Sequence, residues 1–341
     1  MSSQDTRRNL YQQKINALIG ELNGLKQQIS GVEGKISRVE GSILNLPSRI
    51  AAVRQMNYQI QTNFEGDQRS AAERWANIGP AIKMEVSSGK ANLRPQLDTL
   101  EREINSRRLS ASYDLSGLSG IDFKINALRV LVWDFSSRMD KEMVQLDGIL
   151  SPLLDGVAVA EEVVKITAAA SFQWKEGETP VVAVHAKDMN AKVEGLLTIT
   201  NQRIIYEAEK EIVLKKTFFI VTEKKIERTT VLEKPIGSVK TITKGRVGLL
   251  AGAGLFVEFK QGDSELKLDT KSEEADRVIK FYSLITSGKI DEELNKLRPS
   301  EAKTVEKRIV SCPKCGAPYT DEVYRGQLTV QCKYCSTAIS I

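Results

Sequence analysis

Gly195-Leu-Leu-Thr-Ile-Thr-Asn-Gln-Arg-Ile-Ile-Tyr206 sets two β-prone runs, Leu196–Thr200 and Arg203–Tyr206, on either side of Asn201-Gln202. Branched and aromatic side chains suit a pleated surface and asparagine tolerates turn geometry, so the stretch reads as a tight hairpin. The same pattern continues outward. Val181-Val-Ala-Val-His185 precedes it, and Thr217-Phe-Phe-Ile-Val-Thr222, Val239-Lys-Thr-Ile242, Leu255-Phe-Val-Glu-Phe259 and Glu265-Leu-Lys-Leu268 follow, separated by turn residues. The runs predict seven short strands closing on one helix. Ser272 can cap that helix, and Glu273 and Glu274 suit its first turn. Ala275, Val278, Ile279, Tyr282 and Ile285 form its apolar face before Gly288 ends it. A small barrel or sandwich plugged by a C-terminal helix is expected over 172–290.

The first sixty residues follow another period. Ile15, Leu18, Leu22, Leu25, Ile29, Val32, Ile36, Val39, Ile43, Leu46, Ile50 and Val53 recur at alternating steps of three and four, and Asn57 and Ile60 extend the register. That is a heptad seam over 15–60. With Ile15 at position a, Gly20, Gly24, Gly31, Gly34 and Gly41 all fall at c or f, away from the seam. A parallel dimer would pair Glu21 with Lys26 and Lys35 with Glu40, and would oppose Arg49 to Arg54. A coiled coil is therefore expected over 1–65, pairing with a second copy. The alternative is half of an intramolecular bundle. Pro47 predicts a kink, or a reversal at Asn45-Leu-Pro-Ser48. A helical region is expected over 66–171, with interruptions at Gly66, Gly79-Pro80 and Gly89. Leu93, Leu97, Leu100 and Ile104 form one stripe there, and Ile121, Ile125, Leu128, Val132, Phe135, Met139 and Leu146 a second. The Ser/Gly-rich patch 109–120 separates the stripes, and Ser151-Pro152 is expected to end the second.

Gly195–Tyr206 resembles the hallmark hairpin of GRAM domains, pleckstrin-homology-like modules with a pattern close to G-x-L-x-L-T-N-x-R followed by an apolar residue. Glu176-Gly-Glu178 stands upstream where that family often has Gly-Glu, and Pro235-Ile-Gly-Ser-Val239 resembles the family's following strand. The resemblance covers 172–290 and implies a binding module without catalytic residues, for membrane lipid or protein. It carries over no lipid-binding residue, because building the hairpin turn is role enough for Asn201 and Arg203.

After a charged linker, expected over 291–310, come Cys312-Pro-Lys-Cys315-Gly316 and Cys332-Lys-Tyr-Cys335-Ser336. Each C-x-x-C turn presents two thiolates, and a hairpin between them brings the pairs together, which is the spacing of one tetrahedral four-cysteine zinc site. The segment 311–341 resembles a zinc ribbon, with two strands expected around Arg325-Gly326. Four protein ligands leave no open position for a catalytic water, so the expected Zn²⁺ (Cys312, Cys315, Cys332, Cys335) is structural. A redox dithiol pair or an iron site is the alternative.

Composition bounds the rest. In 341 residues, 49 Lys and Arg stand against 44 Asp and Glu, a net charge of +5, too slight to announce a nucleic-acid partner. The single histidine, His185, removes multi-histidine metal sites and most histidine catalysis. No phosphate loop, nucleophile elbow or H-E-x-x-H motif occurs. Trp75, Trp133 and Trp174 are expected in the core. No apolar run approaches the ~18 residues of a spanning helix, and cysteines at metal spacing point to a reducing, cytoplasmic setting with a peripheral membrane position allowed. Lys240, Lys244 and Arg246, ahead of the apolar and glycine-rich 247–257, are candidate membrane or ligand contacts. The fold class is thus multidomain α + β: coiled coil and helical region, small PH-like β-barrel with a C-terminal helix, zinc ribbon. The expected function is a non-enzymatic adaptor or scaffold, oligomeric through 15–60, that binds a protein or anionic membrane surface. The alternative is a nucleic-acid-associated regulator whose ribbon touches DNA or RNA through Lys333 and Arg325.

Overall fold

The structure, a computed structural model, describes residues 3–61, 63–110, 113–217, 220–247, 252–260, 265–297, 311–320 and 323–340. They gather into two compact units, one of Met1–Ser48 with Glu65–Asp155 and one of Arg49–Phe64 with Gly156–Ile341.

The first unit is a bundle of three helices, α1 (Ser3–Gln55), α2 (Phe64–Leu109) and α3 (Ser116–Thr167), of which α1 and α3 end in the second unit. The heptad seam is real, but its partners lie in the same chain. Ile15, Leu18, Leu22, Leu25, Ile29, Ile36 and Leu46 are buried, as are Leu97, Leu100 and Ile104 of α2 and Ile121, Ile125, Val132 and Met139 of α3. The charges expected to pair across a dimer pair here instead: Glu21 with Arg129, Lys26 with Asp98 and Glu101, Lys35 with Asp140 and Asp147, Glu40 with Lys83. These pairs also set direction. The α1–α3 bonds Lys14–Asp122 and Glu21–Arg129 both join residues 108 apart, so α1 and α3 run parallel. The α1–α2 pairs Lys26–Glu101, Glu33–Lys90 and Glu40–Lys83 climb one helix as they descend the other, which makes α2 antiparallel. Within the chain, α2 and α3 supply apolar faces of the kind the seam requires, which is the intramolecular arrangement the sequence offered as the alternative.

Several expected breaks are helix. α1 runs through Pro47, α2 through Pro80 and Pro95, and α3 through Pro152. In helices of 46 to 53 residues the loss of one backbone bond is outweighed by the packing of the whole face. Gly89 is a seat for Phe135, whose ring would lie 2.6 Å from an added Cβ. Asp114 precedes α3 and accepts from the Ser116 amide at 3.0 Å, while α1 ends in a Schellman motif, with Tyr58 N–H to Val53 O and Asn57 N–H to Arg54 O, both 3.0 Å. Asn57 therefore adopts a left-handed φ of 65° and stops the register that the heptad count carried on to Ile60. α3 holds an 18-residue window of mean hydropathy 1.3, enough by length and composition to cross a membrane, a feature that counting unbroken apolar runs did not show. Trp75 is buried, but Trp133 is 66% and Trp174 41% exposed, against expectation.

In the second unit the seven strands are β1 (Pro180–Asp188), β2 (Val193–Thr200), β3 (Arg203–Thr217), β4 (Ile220–Pro235), β5 (Val239–Val247), β6 (Gly252–Phe259) and β7 (Leu266–Asp269). They form one antiparallel sheet of order β4-β3-β2-β1-β7-β6-β5. β1 meets β7 over Lys187–Asp269 and Asp188–Leu268, joining a four-stranded and a three-stranded half. The fourth run expected, 217–222, instead spans the ends of two longer strands, Thr217 closing β3 and Ile220 opening β4, and residues 218–219 lie outside the described ones. β2 covers β3 over Ile204–Ala208, and beyond that register β3 and β4 pair on as a two-stranded ribbon.

α4 (Ser272–Thr286) follows with Ala275, Val278, Phe281 and Ile285 buried. Ser272 is its first helical residue and Lys271 its N-cap, without a side-chain cap bond. The expected linker begins as helix: α5 (Lys289–Leu297) holds Asp291 and Glu293, and the Glu293 carboxylate accepts the Gln61 amide at 2.6 Å. Residues 298–310 lie outside the described ones. β8 (Thr329–Gln331) and β9 (Ala338–Ser340) make the terminal hairpin.

Candidate metal centre and its seat on the β module

The motif hairpin is a structural node. Arg203 and Glu178 are 3% and 2% exposed and meet through two bonds, Nε–Oε1 at 2.7 Å and a terminal nitrogen to Oε2 at 2.8 Å. Thr200 Oγ1 donates to Glu178 Oε1 and the Lys175 amide to Oε2, while Arg203 reaches Glu233 and the Gln173 carbonyl and stacks on Phe172. Desolvation works against the Arg203 charge, but Glu178 and Glu233 outweigh it and hold the guanidinium pKa above its ordinary value. Asn201 accepts the Thr179 amide and donates to the Gly177 carbonyl. The residues that carry the sequence resemblance thus tie Gly177–Thr179 to the β2–β3 turn and hold Arg203 buried in that node.

The four cysteines converge. Sγ of Cys312 lies 3.4 Å from that of Cys335, Sγ of Cys315 lies 3.6 Å from that of Cys332, and all four fall within 4.8 Å of one another. A tetrahedral ion with metal–sulfur bonds of about 2.3 Å places its sulfurs roughly 3.8 Å apart, a spacing that the thiols bracket. Two matching turns hold them. Gly316 N–H donates to Cys312 O and Ser336 N–H to Cys332 O, each at 2.8 Å; Cys312 N–H and Cys332 N–H donate to Ala317 O and Thr337 O. The residue after each second cysteine is left-handed, Gly316 at φ 69° and Ser336 at φ 56°. Thr337, by hydroxyl and amide, holds the Cys335 thiol down to about 6. The Ala317 amide lowers Cys315 too, but the neighbouring thiols, Cys335 foremost, carry it up to about 12. Val330 and Ile339 pack on Cys312 and Cys332 to complete a small core. Of the two strands expected around Arg325-Gly326, the described residues show β8 on the far side and a turn, closed by Gln327 N–H to Tyr324 O at 2.9 Å.

That turn is docked. Arg325 Nε donates to the Asn201 carbonyl at 2.9 Å, one terminal nitrogen to the Ile285 carbonyl at 3.1 Å, and the two terminal nitrogens fork onto Asp291 at 2.8 and 2.7 Å. Gly237 N–H donates to the Arg325 carbonyl at 3.1 Å, and Lys260 lies 5.0 Å from the Tyr324 ring centroid. An added Cβ on Gly326 would come within 1.7 Å of the Gln202 carbonyl oxygen, and one on Gly237 within 2.5 Å of the Arg325 nitrogen. Burial pushes the Asp291 carboxyl up and the Arg325 guanidinium down. This contact was not legible in the sequence, since its parts are Asn201, Gly237, Ile285, Asp291 and Arg325.

The other candidate cations are partly used. Lys240 pairs with Glu258 at 3.1 Å, and Lys244 with Asp276 at 2.7 Å while also donating to Ser272. Arg246 is exposed, and 248–251 lie outside the described residues. His185 is exposed on β1. A cleft of about 260 Å³ opens beside Asp188, Tyr206, Val231 and Glu265, where the Tyr206 hydroxyl bonds the Asp188 amide and the Val193 carbonyl and burial raises its pKa to about 12.

No family model matches the chain. No curated protein matches it either. Among solved structures, autoinhibited Vav1 is similar at 12% identity over 99% of this chain and 67% of that one, with a TM-score of 0.26. The linker-DH/PH domains of p115-RhoGEF are similar at 11% identity over 84% and 98%, with a TM-score of 0.24. Likenesses this slight do not assign a function.

Proposed function

We propose that the chain is a non-enzymatic adaptor whose β module, pleckstrin-homology-like in its seven antiparallel strands and closing helix, recognises a protein surface. The four-cysteine ribbon, loaded with Zn²⁺, serves as a structural part of that module. The observation that carries the reading is the docked turn: a surface of the β module built from backbone carbonyls and the Asp291 carboxylate receives an arginine and a glycine from a remote segment. That is peptide recognition, performed within the chain. The membrane reading draws less support, because Lys240 and Lys244 are spent on Glu258 and Asp276. The nucleic-acid reading loses Arg325 to Asp291.

The test uses the whole chain, since residues outside 172–290 pack on the module. Co-flotation with vesicles of neutral lipid, and of the same lipid with anionic lipid, should leave the chain in the dense fraction in both cases. Recruitment by anionic vesicles that is lost in Arg246→Glu would replace the protein surface with a membrane.

A further inference from the structure

The acceptors around Arg325 come from three separate places and meet on one guanidinium. Asn201 offers a carbonyl from the β2–β3 turn, Ile285 one from the last turn of α4, and Asp291 a carboxylate from the first turn of α5. Carbonyls in the last turn of a helix carry partial negative charge, so Ile285 O accepts Arg325 beside the Gly288 N–H it already holds, and a planar fork opposite a carboxylate is met by arginine better than by lysine. The next residue is read as well. The Gln202 backbone leaves no room for a side chain at 326, Arg325 leaves none at 237, and Gly237 N–H donates to the arginine's own carbonyl. Together these features recognise arginine followed by glycine.

We propose that this cleft is an arginine–glycine peptide site of the β module, kept filled in cis by the metal-held ribbon, and that an arginine–glycine segment of another protein occupies it once the metal is gone. The proposal rests on the reading of the β module as a binding module and names the partner's chemistry. The metal enters through the chain's own folding. Val330 and Ile339, with Cys312 and Cys332, make too small a core to hold the ribbon, so the folding free energy of a piece of ~30 residues is largely the metal's. While the ribbon is folded, its turn stands at the cleft at an effective concentration on the order of millimolar, and a free peptide cannot compete. Without metal the turn loses its shape and the cleft opens.

The experiment uses the full chain, metal-loaded and after chelation, with a labelled Val-Tyr-Arg-Gly-Gln peptide and a control carrying lysine for arginine, read by fluorescence anisotropy. Amide hydrogen exchange at Gly237 is followed alongside, with Ile236 N–H, bonded to Gln202 O within the module, as the internal standard. Chelation should deprotect Gly237 and leave Ile236 protected. It should also strengthen binding of the arginine peptide by about tenfold or more without strengthening the lysine control, and Asp291→Asn should abolish the gain. Equal protection of Gly237 with and without metal would overturn the proposal. So would a chelated chain that binds neither peptide, binds both alike, or ignores Asp291→Asn; each leaves the adaptor reading standing, since that falls on vesicle recruitment.

Discussion

Arg203 and Glu178 form a buried ion pair with further bonds on nearly every polar atom, so removing one partner strands a charge away from water. Arg203→Ala is expected to cost about 3–5 kcal/mol, and Arg203→Lys most of that, because an ammonium cannot reproduce the fork. Chemical denaturation of the second unit checks this, and a loss under ~1 kcal/mol would mean the node is not what ties Gly177–Thr179 to the turn. Ser336 poses the opposite case. It occupies the left-handed position that Gly316 fills in the matching knuckle, where an L side chain costs roughly 1–2 kcal/mol. Ser336→Gly should therefore raise the ribbon's apparent metal affinity about five- to thirtyfold by competition with a chromophoric chelator, as long as the serine's own contacts are minor. An affinity that falls would show that the hydroxyl matters more than the backbone. The sequence shows both sites unevenly. The C-x-x-C pairs announce their ligands by spacing, whereas the strain at Ser336 emerges from the symmetry of the two knuckles.

At the scale of the element, α1 shows what periodicity conveys and what it leaves open. The steps of three and four name every buried position from Ile15 to Val53 and put five glycines on the outside, and nothing lies within 4 Å of where their Cβ atoms would be. Gly24→Ala and Gly31→Ala should therefore each stabilise the bundle by about 0.5–1 kcal/mol, seen as a raised midpoint of helix melting by circular dichroism. A lowered midpoint would place an unseen neighbour over that face. The seam's period does not say whose apolar face completes it, since a second chain and α2 with α3 satisfy the same heptads. The proline signals misled for a related reason: propensity is local, and the contacts that hold these long helices are not. The second unit offers a test in pH. Arg49 forks onto Glu161 at 2.7 Å through both bonds, and this hydrogen bonding lowers the Glu161 pKa. A carboxyl depressed in the folded state stabilises it above the unfolded value of about 4.3 and loses that contribution as the pH falls through the folded value. The parent's melting midpoint should accordingly fall more than that of Glu161→Gln between pH ~6 and ~3, and parallel curves would dissolve the link.

Across the whole molecule, the metal prediction follows from where the ligands lie. All four are within residues 312–335, past the last helix among the described residues, and none belongs to α1–α5 or to β1–β7. The sequence conveyed this much, with the order of helices, strands and metal knot. What it hid was that the expected linker is partly helix and that the knot is seated, because the seat depends on Arg325 finding Asp291. One divalent ion per chain is expected, and Cys332→Ser should abolish its binding. Chelation should leave the far-ultraviolet helix signal nearly unchanged, since the helices neither hold the ion nor enclose it. The same treatment should unfold 311–340, because structural zinc supplies on the order of 10–16 kcal/mol to modules of this kind, more than their apolar cores can replace. Hydrogen exchange then has a defined pattern to match: Cys312, Gly316, Cys332 and Ser336 amides lose protection on chelation, and the Val182–Ile199 and Ile205–Glu233 registers of the sheet keep it. Loss of helix signal on chelation would mean that the ion supports more than its own knot. Retention of the knuckle amides would mean that the thiols and the seat on the β module suffice without it.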